Sequence, residues 1–186
     1  PRGYLALGDS YTIGEGVTTE ARWPVVLAAS IGMEAPKIVA RTGWTVSELE
    51  TGIEAEMSLD SQYEMVTLLI GVNDEFRGGD VASYRVDFER VLGRALAFGG
   101  DDAARVTVVS IPDYGVTPFG QRAGVGERID AFNEAAAQIA TSGGVRFVDV
   151  TGISREMPAA VVGDGLHPNA EQYAAWAATV REALER

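Results

Sequence analysis

Five short apolar runs alternate along the chain with longer amphipathic stretches, and this alternation most narrows what the sequence can fold into. The runs Tyr4–Leu7, Ile38–Ala40, Met65–Ile70, Val106–Ile111 and Val145–Val150 read as strands. Met65–Ile70 is almost unbroken in its apolar character, the pattern of a strand buried on both faces. Between the runs lie helix patterns. Trp23–Ile31 carries Pro24 in its first turn, where a missing N–H costs nothing. Thr45 and Glu48 form a capping box opening a helix over Val46–Met57. Asp80 caps Val81–Phe98, which Gly99-Gly100 stops; Glu127–Thr141 runs to Gly143-Gly144. Asn169 with Gln172 caps the last helix, Ala170–Leu184. A βα unit repeated five times predicts a parallel sheet with helices on both faces and right-handed crossovers.

The fold class is therefore α/β, a three-layer αβα sandwich. Of the two common doubly wound strand orders, five strands favour the flavodoxin-like 2-1-3-4-5. The 186 residues suit one domain spanning residues 1–186. There is no cysteine, which excludes a disulfide scaffold, thiolate metal clusters and a cysteine nucleophile. Fifteen basic against 27 acidic residues leave a net charge of −12, which repels phosphate backbones and argues against nucleic acid as a partner. No apolar run nears the roughly 18 residues of a membrane span. Cytoplasmic location is the default expectation; the chain begins at Pro1, so secretion after loss of a leader stays open. Nothing in the sequence marks an oligomeric state.

Ligands of doubly wound sheets sit outside the carboxyl ends of the strands. The loops there hold Gly8-Asp9-Ser10, then Arg41-Thr42-Gly43-Trp44, then Gly71-Val72-Asn73-Asp74, and finally Asp164-Gly165-Leu166-His167-Pro168 before the last helix. His167 is the single histidine, so any imidazole base is His167. Ser10 offers a hydroxyl nucleophile that needs such a base. Asp164, three residues earlier, could hold the tautomer of His167 and stabilise its imidazolium. The Ser10 and Gly43 N–H groups and the Asn73 amide could serve a developing oxyanion. Asp9 and Asp74 read as loop-shaping carboxylates that accept backbone N–H bonds. Trp44, Tyr114 and Phe119 are candidates to line a substrate pocket, the last two within a long loop after the fourth strand.

With these four loops the chain resembles the GDSL, or SGNH, hydrolase family, whose blocks centre on Ser, Gly, Asn and His. Gly8-Asp9-Ser10, Gly43, Gly71-Val72-Asn73-Asp74 and Asp164-Gly165-Leu166-His167 match them in order; Tyr11 stands where the family's name has Leu. The resemblance implies a flavodoxin-like sandwich, Ser10, Asp164 and His167 as a catalytic triad, and Ser10, Gly43 and Asn73 as an oxyanion hole. It implies hydrolysis of a small-molecule ester with neither a metal nor an organic cofactor; thioesters, lysophospholipids and acetylated sugars lie within its range.

Rival readings fit less well. An α/β-hydrolase sets its serine in Gly-x-Ser-x-Gly, and here Thr12 takes the last place. A two-metal phosphoesterase needs more than one histidine. An FMN binder would meet Asp9 and Glu15 where its phosphate should sit. A non-catalytic binding module on this fold is the alternative from another class, and Ser10→Ala separates it from an enzyme.

Overall fold

In the computed structural model, which describes residues 3–186, the five apolar runs form one parallel sheet in the order β2-β1-β3-β4-β5. The strands are β1 (Tyr4–Gly8), β2 (Lys37–Ala40), β3 (Met65–Leu69), β4 (Val106–Val109) and β5 (Arg146–Val148). Every residue of β1, β3 and β4 is buried, as central strands covered on both faces require. Gly8 stands opposite both Ala40 and Leu69, so β1, β2 and β3 end level and their following loops meet at one edge.

Among the described residues, eight α-helices complete the sandwich: α1 (Ser10–Ile13), α2 (Trp23–Ser30), α3 (Val46–Ala55), α4 (Val72–Phe76), α5 (Val81–Phe98), α6 (Val125–Ser142), α7 (Thr151–Glu156) and α8 (Ala170–Leu184). Leaving β1 toward β2 and then returning toward β3 reverses direction across the sheet. Right-handed crossovers then put α2 on one face and α3, α5 and α6 on the other. The packing agrees: α5 lies against α3 and α6, and α8 returns to cover the face beside α2. Trp23 of α2 and Trp176 of α8 are fully buried there.

The predicted sheet order and all five predicted helices are present; Val81–Phe98 and Ala170–Leu184 end where expected, and the other three have shifted ends. The third helix stops at Ala55 rather than Met57, and α6 begins at Val125 rather than Glu127. The last two strands are shorter than Val106–Ile111 and Val145–Val150 for an identifiable reason. The Asn133 side chain accepts from the Ile111 N–H at 2.8 Å and donates to its carbonyl at 2.9 Å, while the Val150 N–H donates to the Ser110 hydroxyl at 2.8 Å. Side chains thus take the backbone groups that a continued ladder would pair. The short helices α1, α4 and α7 are additions. Gly71-Val72-Asn73-Asp74 has the composition of a turn, yet it opens α4, with the Glu75 N–H donating to the Gly71 carbonyl at 3.2 Å.

Candidate active site

The end of β1 presents Ser10. A Cβ on Gly8 would collide with the Thr12 side chain and lie 2.7 Å from the Leu69 carbonyl oxygen, so this turn closes only around glycine. Asp9 caps α1, its Oδ1 accepting from the Tyr11 N–H at 3.0 Å. Ser10 follows as the first residue of α1 and is 4% exposed. Asp9 is wholly buried. Burial pushes its carboxyl up to about 8; the Tyr11 N–H opposes that shift and the charge of Asp74 adds to it. The surroundings of Asp9 thus favour its neutral form.

His167 arrives from the loop before α8. Asp164 Oδ1 accepts from the backbone N–H groups of Leu166 at 2.8 Å and His167 at 3.0 Å. Its Oδ2 lies 2.6 Å from His167 Nδ1, and His167 Nε2 lies 3.0 Å from the Ser10 hydroxyl. One carboxylate therefore shapes the loop and orients the ring. Burial by itself would raise the Asp164 carboxyl, but the bonds from the His167 ring and the two backbone N–H groups outweigh it and hold it below the usual range. Tyr11 packs beneath the imidazole, ring centroids 5.7 Å apart.

Gly43 and Asn73 come from the neighbouring loops. Gly43 has φ +87°, a left-handed conformation that favours glycine, and its carbonyl accepts from Arg77 Nη2 at 2.6 Å. Arg77 is held in turn by Glu48 at 3.2 Å. Asn73 Nδ2 donates to the Trp44 carbonyl at 2.9 Å, and Asp74 accepts from the Val46 N–H at 3.1 Å. These bonds stitch α4 to the Gly43 loop. Burial pushes the Asp74 carboxyl up to about 6 against the pull of that N–H. The amide of Asn73 has a second N–H to offer. The backbone N–H groups of Ser10 and Gly43 donate to no other backbone carbonyl among the described residues.

Ser10, Gly43, Asn73 and His167 all line one cavity of about 130 Å³. Its apolar walls are Tyr11, Val72, Phe76, Tyr114 and Leu166. Of the three aromatic candidates, Tyr114 is in the wall, and the other two require correction. The Trp44 ring turns away onto α3, into the space that Gly52 leaves by having no side chain. Phe119 is 71% exposed and outside the lining; its backbone N–H bonds the Gly165 carbonyl at 3.0 Å. Phe76 was not anticipated. Val72 and Phe76 are four apart, a spacing that puts both on one face of α4. Arg77 has no signal in the sequence, because it acts on residues far away along the chain. Among the described residues, no three His, Cys, Asp or Glu side chains gather into a metal-binding group. No helix there is long and apolar enough to cross a membrane.

Five parallel strands in this order, with these four loops at the carboxyl edge, make the SGNH hydrolase fold. The sequence pattern of the GDSL-like lipase/acylhydrolase family matches residues 6–175, and the chain belongs to that family. Among solved structures, a G-D-S-L family lipolytic protein from Veillonella parvula superposes with a TM-score of 0.76 at 19% identity, covering 100% of both chains. A lipase/acylhydrolase from Enterococcus faecalis gives 0.72 at 21% identity, over 100% of this chain and 96% of that one. Est24, a carbohydrate acetylesterase from Sinorhizobium meliloti, gives 0.69 at 18%, over 100% and 99%. Among curated proteins nothing matches the sequence.

Proposed function

We propose that the protein hydrolyses carboxylic esters of short acyl groups through an acyl-enzyme on Ser10. The carrying observation is the unbroken hydrogen-bonded chain from Ser10 Oγ through His167 to Asp164, at 3.0 and 2.6 Å. In this reading Ser10 Oγ attacks the ester carbonyl carbon as His167 Nε2 takes its proton. The oxyanion forms against the N–H groups of Ser10 and Gly43 and the Asn73 amide. The C–O bond breaks, and the alcohol leaves with the proton from His167. Water then adds to the acyl-enzyme, giving its proton to His167; the acid departs and Ser10 recovers the proton. Asp164 stays ionised throughout and stabilises the imidazolium.

The short acyl preference is supported by the size of the cavity. At about 130 Å³ it lies well below the roughly 300–1,000 Å³ of sites for drug-sized ligands. The apolar wall suits an unbranched alkyl group. Acetyl esters of sugars and small thioesters meet the same limit. The test is turnover of p-nitrophenyl acetate and butyrate, with Ser10→Ala as control. The variant should lose about 10⁴–10⁶-fold in kcat. Equal turnover by both proteins would return the chain to the non-catalytic binding reading.

A further inference from the structure

Glu75 is a carboxylate where burial is costly. It is 4% exposed, on α4, two residues beyond Asn73. A buried carboxylate persists only where partners satisfy it. Its Oε2 accepts from the Tyr114 hydroxyl at 2.6 Å, and its Oε1 faces Arg128 Nε. The first bond is short and charge-assisted, and it crosses between segments 39 positions apart. Tyr114 lines the cavity. Phe76, one residue after Glu75, meets the Tyr114 ring edge-on at 5.7 Å, and the Arg122 guanidinium lies 4.5 Å over Phe76. Tyr114 and Phe76 thus form one braced aromatic wall, anchored through the phenol and not through the ring.

We propose that Glu75 sets the acyl-length limit of the site by pinning Tyr114 as a rigid wall of the cavity. Short straight-chain acyl groups fit against the wall, and longer ones require the ring to swing aside, which the Glu75 bond prevents. Glu75 touches no substrate in this scheme; it is a positioning residue, and Tyr114 makes the contact. The inference rests on the ester-hydrolase reading of the same cavity.

The test is kcat/KM for p-nitrophenyl acetate, butyrate, hexanoate and octanoate. It is measured on the wild type, Glu75→Ala, Glu75→Gln and Tyr114→Phe, with Ser10→Ala as the blank. Glu75→Ala removes the acceptor, and Tyr114→Phe removes the donor while keeping the ring. Both should raise the octanoate-to-acetate ratio by roughly tenfold or more, the scale of one methylene in an apolar pocket, with the gain carried mainly by KM. Glu75→Gln keeps an oxygen for the phenol to donate to and should return the ratio toward that of the wild type. A merely structural role would lower all four esters in parallel; an unchanged ratio in both Glu75→Ala and Tyr114→Phe overturns the assignment and leaves ester hydrolysis standing. Absence of Ser10-dependent turnover on every ester overturns the hydrolase reading itself, and this inference with it.

Discussion

Asp9 and Asp164 are carboxylates at the same edge of the sheet, and their surroundings push them in opposite directions. Asp164 is partly exposed and holds three hydrogen bonds from N–H groups. Asp9 is sealed beneath Ser10 with one such bond, and its Oδ2 has none. The consequence for stability has a definite sign. Between about 4 and about 8 the unfolded chain releases the Asp9 proton while the folded chain keeps it, so the contribution of Asp9 is greatest below about 4 and declines as pH rises to about 8. Asp9→Asn retains an oxygen to cap α1 and removes the titration. Urea midpoints of the variant and wild type at pH 4.5 and 8 should show the variant gaining relative to wild type at the higher pH. Parallel midpoints at the two pH values would mean that Asp9 is ionised in the native fold. Sequence alone identifies Asp9 as a loop-shaping acid; it cannot show the burial, which comes from tertiary packing around the turn after β1.

At the level of elements, α3 and α4 fix the geometry of two proposed oxyanion donors. Thr45 and Glu48 form a reciprocal capping box: the Glu48 side chain accepts from the Thr45 N–H at 2.9 Å, and the Thr45 hydroxyl accepts from the Glu48 N–H at 3.4 Å. Asn73 and Asp74 bond to Trp44 and Val46, on either side of this cap. Thr45→Ala should cost about 1 kcal/mol in urea denaturation. It should also lower kcat on p-nitrophenyl acetate more than KM changes, since the loop that carries Gly43 loosens. A loss of stability with unaltered kcat would separate the cap from the site. The capping box was readable from Thr45 and Glu48 alone because it is local. The helical state of α4 was not, because its sequence favours a turn and its helix depends on long-range bonds to the Gly43 loop. The same contrast explains the pocket. Ser10, Gly43, Asn73 and His167 were legible as four motif centres, whereas the outward turn of Trp44 depends on the unfilled space above Gly52, nowhere signalled near position 44.

Across the whole molecule, the alternation of apolar and amphipathic runs was enough to anticipate the sheet order, because five βα units favour one of the two common doubly wound orders. What closes the structure is the packing of α8 onto α2. Trp176 is completely buried, with Tyr173 at 5.2 Å and Tyr11 at 5.9 Å between ring centroids. Trp176→Ala should therefore destabilise the protein by about 3–5 kcal/mol. Through Tyr11 it should also lower turnover at temperatures where the fold survives; activity held at the wild-type value in folded protein would show that Tyr11 needs no support from α8. The bond between Ser10 and His167 spans 157 positions, joining the first turn after the first strand to the loop before the last helix. A chain still being synthesised can possess its serine, its oxyanion loops and most of its sheet without a base to activate the hydroxyl. Under the proposed mechanism its chemistry is silent until His167 has been made and docked, so that hydrolysis reports the joining of two segments 157 positions apart.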